Sequence, residues 1–540
     1  MVTLDGASTL AHPWEPWSLL YQLGAALVAL WWAWLALDRA WLRPRRLERA
    51  LRAQGLRGTP YRSPAGDVPL NARLNREARA RTMPLGCHDV VPRAMPMFHQ
   101  AIKENGKMSI TWFGSVPRVT ITKPELVREV LSNKFGHFEK LSFGRLQRLL
   151  HNGVSGHEGK KWAKHRRIIN PAFHLEKLKR MMPAFAACCT ELVDKWEGLA
   201  RGDEPYELDV WPEMQSLTGD VISRAAFGSN YLEGKMIFQL QGELILHVGV
   251  AMNRIYIPGY MYLPTKSNRR MKQIAAEIEG MLKRIIAKRE RALKAGEASS
   301  DDLLGILLQS NVEHSKGNGN GNGSSSTTSL TIDDVVGECK LFYFAGMETT
   351  SVLLTWTIVV LSMHPEWQDR AREEVLQVFG SRAPDYDGLN RLRIVTMVLY
   401  EVLRLYTPLT ALQRKTYKPM ELGGVRFPAG VVLVLPLLCI HHDRDVWGPD
   451  ADEFRPERFA EGIAKASRGG REALAFFPFG GGPRTCIGQN FALLEAKMGL
   501  SVILQRFSFD LSPSYTHAPF PVGLLQPEHG AQVRLTRLRH

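Results

Sequence analysis

The chain has 540 residues, 45% of them hydrophobic and 23% charged, which suits a globular protein with a large core. Six cysteines (Cys87, Cys188, Cys189, Cys339, Cys439 and Cys486) are too few and too scattered for a disulfide framework, so reduced thiols and a cytosol-facing body are expected. The formal charge of +15 comes with no zinc-finger spacing, RNA-binding signature or basic–aromatic repeat, which makes nucleic acid a poor explanation for it.

Ser18 to Leu37 contains no charged residue and has the roughly 20 residues that a bilayer span needs. Trp14 and Trp17 flank one end and Trp41 the other, where interfacial aromatics belong. Between Arg39 and Arg62 there are eight arginines against one acid, Glu48, so the segment after the span should stay on the cytosolic side. A cleaved signal peptide would show the opposite polarity and a shorter apolar region. The expected organisation is a short lumenal stretch (1–17), a transmembrane signal anchor (18–37), a basic, proline-containing linker (38–62) and a main body (63–540). A buried core helix is the alternative for the apolar run, and the arginines that follow argue against it. Arg43-Pro44-Arg45-Arg46 and Gly58-Thr59-Pro60 are expected to break regular structure in the linker.

Ser109–Phe113 and Arg118–Thr122 alternate apolar and polar residues around Gly114-Ser115, which predicts a β-hairpin. Lys123-Pro124-Glu125 should open a helix, with proline at a tolerated first-turn position. From about 160 to 310 the pattern is mostly helical. Residues 315–330, rich in Gly, Asn, Ser and Thr, read as a flexible loop, and its sequon Asn322-Gly323-Ser324 would not meet glycosylation in the cytosol.

Thr331, with Asp334 three residues on, reads as the N-cap of a long helix that ends at His364-Pro365. Its centre is apolar on nearly all sides and should lie in the core. Within it sits Ala345-Gly346-Met347-Glu348-Thr349-Thr350: small residues that let another group approach, hydroxyls that can bond back to the helix, and an acid that is costly there unless bonded or functional. Glu401 and Arg404 fall on one helix face, ordinarily a weak surface pair. Phe454-Arg455-Pro456-Glu457-Arg458-Phe459 follows them. Amphipathic helices continue to Tyr406, after which short strands and turns dominate.

Phe479-Gly-Gly-Gly-Pro-Arg-Thr-Cys-Ile-Gly488 presents one cysteine as if to a metal. Glycines 480, 481 and 482 would let backbone pass close to a flat ligand. Cys486 precedes the helical stretch Gln489–Lys497, whose N-terminus should favour the thiolate. Arg484 is placed to bind a carboxylate, and Phe479 has the size to pack beneath a macrocycle. His441 and His442 could be metal ligands too, but are better read as loop histidines once a thiolate is available.

The cysteine segment resembles the haem-binding loop of the cytochrome P-450 family, Phe-x-x-Gly-x-Arg-x-Cys-x-Gly, at every fixed position. The resemblance implies a mainly α fold with a minor β region, preceded by one N-terminal transmembrane helix, with 63–540 the haem-thiolate catalytic domain. It implies haem b (iron protoporphyrin IX) with Cys486 as axial ligand. Thr349 would order water and Glu348 would help deliver protons. Trp162 and Arg166 (from Trp162-Ala163-Lys164-His165-Arg166), Arg414 and Arg484 would meet the haem propionates. Glu401, Arg404 and Arg458 would form a buried structural network. Leu51–Gly58, Trp162–Phe173 and Leu330–Thr350 look like the plant family numbered seventy-two, whose members commonly oxidise isoprenoid-derived molecules.

The resemblance therefore implies a monooxygenase of the endoplasmic-reticulum membrane, single-pass, with its catalytic domain cytosolic. Electrons would come from NADPH through a separate NADPH–cytochrome P-450 reductase, with cytochrome b5 as a further candidate donor. Membrane lipid and a small apolar substrate would complete its partners. Substrate contacts are expected before Trp162, near Phe344–Thr349, in Thr407–Leu412 and in Pro521–Leu525. A reductase-independent lipid isomerase or dehydratase and a haem-based sensor are the rival readings.

Overall fold

The computed structural model describes residues 15–133, 136–141, 144–150, 152–199, 204–229, 231–252, 260–297, 302–317, 329–468 and 474–538. Trp14, the rest of the stretch before Glu15 that was expected to be lumenal, and residues 318–328 of the expected loop, with its sequon, lie outside the described residues, while 315–317 end a helix, Leu303–Gly317. Helix α1 (Glu15–Leu37) is exposed along its length from Leu20 onward. That excludes the core-helix alternative, because the apolar window of the anchor has none of its residues buried.

The expected break at Arg43-Pro44 does not occur. A π-turn (Asp38–Leu42) leads straight into helix α2 (Arg43–Arg52). Pro44 falls in the first turn of α2, where a missing N–H is tolerated. The carbonyl four residues back, Ala40 O, accepts instead from Tyr61 Oη at 2.5 Å and Ser63 Oγ at 2.9 Å. Leu51 is fully buried, and Arg52 donates to Gly58 O at 2.9 Å. The first half of the linker is thus a helix docked on the body. Deleting residues 1–38 is expected to weaken membrane attachment and leave the melting temperature of the body unchanged. A deletion running on through Arg52 should lower that temperature, because burying a leucine is worth about 1.5–3 kcal/mol. Equal melting curves for the two truncations would contradict docking of α2.

Arg57–Gly58 forms a short strand, β1, paired in parallel with β2 (Met108–Phe113). β2 and β3 (Val116–Ile121) are the expected hairpin, in register from Met108↔Ile121 to Phe113↔Val116. Pro124 opens helix α3 (Pro124–Ser132). The sheet is completed by β4 (Phe138–Lys140), β5 (Leu412–Thr416) and β6 (Val432–Leu435), in the order β1-β2-β3-β6-β5-β4.

The larger part of the body is helical: α4 (Gly159–Ile169), α5 (Leu175–Leu199), α6 (Val210–Phe227), the core helix α7 (Ile332–Met363), α8 (Ile394–Leu405) and α9 (Gln489–Arg506) are the members that frame the site. α7 starts with a reciprocal capping box between Thr331 and Asp334. It packs against α6, α8 and α9, and Trp356, Val359 and Leu361 have no exposed surface. A helix apolar on all sides has nowhere else to go in a soluble body. The fold is mainly α with small sheets.

Candidate active site

Cys486 lies between a 3₁₀ turn (Gly482–Arg484) and the start of α9. Its N–H donates to Phe479 O at 2.9 Å, which closes the loop, and Phe479 packs half-buried against the core. Gly480 and Gly482 have φ of +73° and +66°, angles that favour glycine. A Cβ on Gly482 would meet Leu131 O of α3 at 2.2 Å. The close approach there is to the chain's own backbone at Leu131 and Ser132.

Among the described cysteines Cys486 alone is exposed; Cys188, Cys189, Cys339 and Cys439 are buried and Cys87 is half-buried. Its surroundings are nevertheless dense, and burial pushes its thiol pKa up against the opposing pull of the Gly488 N–H, Arg166 and Lys140. The Gly488 N–H at the helix start favours the thiolate against that burial, and a bound metal would complete the ionisation.

Trp162 and Arg166 sit on α4, Arg414 on β5 and Arg484 in the cysteine loop. Arg484 stacks over the Trp162 ring at 4.3 Å, donates to His157 O at 2.8 Å and pairs with Glu158. Arg166 donates to Thr485 O at 3.0 Å. The pairing of β4 with β5 sets Lys140 directly opposite Arg414, so the two share one face of the sheet. Burial first, then Arg414 and Arg484, lower the Lys140 pKa to about 8, and burial lowers Arg414 to about 10. Four cations thus act on one another across this region, with Glu158 the acid that offsets them. Lys140 was not singled out from the sequence, because nothing local marks it and only strand pairing brings it here.

On α7, Thr349 Oγ1 donates to Ala345 O at 2.8 Å and the helix continues unbroken. A Cβ on Gly346 would lie 2.6 Å from Ile222 Cγ1, so this glycine admits helix α6. Burial raises the Glu348 pKa to about 7, opposed by a bond to Gln215. Phe173 links the core helix to the helix after Cys486, with its ring 5.5 Å from Phe342 and 6.4 Å from Phe491. Two of the segments expected near substrate also meet: Leu525 N–H donates to Pro408 O at 2.9 Å.

Glu401 and Arg404 have no exposed surface, unlike a surface pair. Arg404 donates twice to Glu401, at 2.8 and 2.7 Å, and to the carbonyls of His441, Ala451 and Glu453 at 2.7, 2.6 and 3.2 Å. Glu401 also accepts from Arg455 N–H at 2.9 Å and Arg458 Nε at 3.3 Å. His441 ends a short helix, Leu437–His441, rather than lying in a loop, and both it and His442 are buried. His441 Nε2 accepts from Phe477 N–H at 3.0 Å, two residues before Phe479, and thereby connects Arg404 to the cysteine loop. His442 bonds Asp452 and Leu405 O.

Residues 88–535 match the family model described as Cytochrome P450. The chain belongs to the cytochrome P450 family. Cytochrome P450 CYP72A616 of Paris polyphylla is 57% identical over 517 residues, covering 95% of this chain and 98% of its own. Cytochrome P450 72A13 of Arabidopsis thaliana is 51% identical, covering 95% and 98%. Secologanin synthase 2 of Catharanthus roseus is 50% identical, covering 94% and 95%. This cytochrome P450 is accordingly a haem-dependent monooxygenase of the plant family seventy-two type, with electrons supplied by a reductase and an N-terminal apolar helix consistent with membrane anchoring. Its residues fit haem: an accessible thiol stands beside a group of partly buried cations that hold more positive charge than Glu158 offsets, and two propionates would supply the missing anions.

Proposed function

We propose that this cytochrome P450 oxidises a bulky, mostly apolar terpenoid on the cytosolic face of the endoplasmic reticulum, with NADPH as the electron source through NADPH–cytochrome P450 reductase. The observation that carries the chemistry is Cys486 beside Lys140, Arg166, Arg414 and Arg484. Cys486 would ligate the haem iron, Phe479 would pack against the macrocycle, and Trp162 with the four cations would hold the propionates. Haem, when bound, supplies the oxygen-activating redox chemistry that thiolate ligation favours.

Glu348 and Thr349 manage protons. A carboxyl titrating at about 7 can give up and regain a proton at working pH. The Thr349 hydroxyl, one residue on, holds its own hydrogen in the Ala345 O bond and offers its lone pairs to water. Thr349→Ala is expected to bind haem normally and to divert NADPH electrons to peroxide. Turnover in the parent enzyme should fall as pH rises above about 7 and Glu348 loses its proton, and Glu348→Gln should abolish that limb. Loss of haem from Thr349→Ala would make the residue structural instead.

The terpenoid class is supported by the family-seventy-two resemblance and by a relative named for secologanin synthesis. Apolar segments around Phe342 and Leu409–Leu412 are compatible with it. Purified enzyme with reductase, screened by Soret shift and turnover, tests the class. Strong shifts with fatty acids and none across a broad terpenoid panel would reject it.

A further inference from the structure

Residues 153–158 form a strap leading into α4, and two cations of the site hang from it. Lys140 Nζ donates to Ser155 O at 2.9 Å and Lys140 N–H to Glu158 Oε1 at 2.9 Å. Arg484 donates to His157 O at 2.8 Å and pairs with Glu158. A side chain of the core helix, Glu338, ties the strap to it. Glu338, with no exposed surface, accepts the Val154 N–H at 3.0 Å through Oε2 and bonds His165 Nδ1 at 2.5 Å through Oε1. His165 immediately precedes Arg166 on α4, and the His157 ring stands edge-on to it at 4.4 Å. On the other side of His165, Asp334 Oδ1 lies 3.6 Å from Nε2 and 2.9 Å from Lys161 Nζ. The fit is tight: a Cβ on Gly153 would lie 2.6 Å from Glu338 Oε2, and one on Gly337 would lie 2.5 Å from Asn152 O.

A carboxyl inside an apolar helix is costly to bury. Glu338 offsets that cost by serving two elements at once, the strap and α4. It lies three turns before Thr349 on the same face of α7, about 16 Å along the axis, so it acts at the cation end of the site and away from the proton-handling pair. We propose that Glu338 is a positioning residue for the haem carboxylates: by clamping the 153–158 strap and α4 to the core helix, it keeps Lys140, Arg166 and Arg484 aimed at one place. This rests on the reading of those cations as the propionate site.

The test uses the full-length, haem-loaded protein and two measurements, amide hydrogen exchange in 153–158 and the rate of haem transfer to excess apomyoglobin. Glu338→Ala removes the acceptor of the Val154 N–H and is expected to speed exchange in the strap about tenfold or more, the loss of one charge-assisted hydrogen bond, and to speed haem release. Glu338→Gln keeps the shape and an acceptor oxygen and should restore both towards the parent values. Gly153→Ala drives a methyl against the carboxylate from the strap side without deleting a buried charge, and should reproduce the Glu338→Ala effects if that variant does not accumulate. Unchanged exchange in the strap in either variant overturns the clamp. So does an opened strap with parental haem release when Arg484→Ala releases haem faster. Parental release in Arg484→Ala would instead overturn the propionate reading beneath the proposal.

Discussion

Cys486→Ser is expected to abolish the red-shifted Soret band of the reduced carbon monoxide complex and to remove oxidation of substrate altogether. That band depends on a thiolate bound to iron. In this loop the Gly488 N–H, Arg166 and Lys140 all favour a negative charge on the sulfur, against the opposing effect of burial. A serine hydroxyl is far harder to ionise, and the same surroundings cannot make it an anionic ligand at neutral pH. The loop should still close, because the bond that shapes it runs from the backbone N–H of residue 486 to Phe479 O. Absorbance spectra of the reduced, carbon monoxide-treated variant decide the matter: a retained band would remove Cys486 from the role of ligand.

Arg404→Ala should fail at an earlier stage, with poor accumulation of protein and little haem incorporated. The substitution leaves Glu401 charged, fully buried and without its two strongest donors, and it strips a donor from the carbonyls of His441, Ala451 and Glu453. Removing one partner of a buried ion pair costs about 3–5 kcal/mol, a large share of the roughly 5–15 kcal/mol that keeps a typical domain folded. Because His441 passes the network on to Phe477, the cysteine loop should lose its support along with the fold. The measurements are expression yield, haem-to-protein ratio and thermal midpoint. A well-folded, haem-replete Arg404→Ala protein would contradict the burial of the network.

The features legible in the sequence share one physical property, which is that their determinants lie within a few residues of one another. The capping box of Thr331 and Asp334, the hairpin around Gly114-Ser115 and the proline that opens α3 are set by backbone geometry and side-chain period over one or two turns, and the N-terminal apolar helix by one continuous run of the chain. The cysteine loop is legible for the same reason. Pro44 does not break the linker as expected, because proline stops a helix in its interior but is accepted in the first turn, and a π-turn placed it there.

What only the tertiary structure decided is which distant groups meet. Lys140 joins Arg414 through the register of two strands far apart in the chain. Glu338 meets His165 across 173 residues. Gly346 and Gly482 are small because Ile222 and Leu131 press on them, a fact carried by neither local pattern. A residue type and its spacing determine what a side chain can do and how the nearby backbone runs. Burial and charge at a site depend on which elements pack together, so the cation group, the buried Glu401–Arg404 pair and the Glu338 clamp exist only once the helices and the sheet have closed around one another.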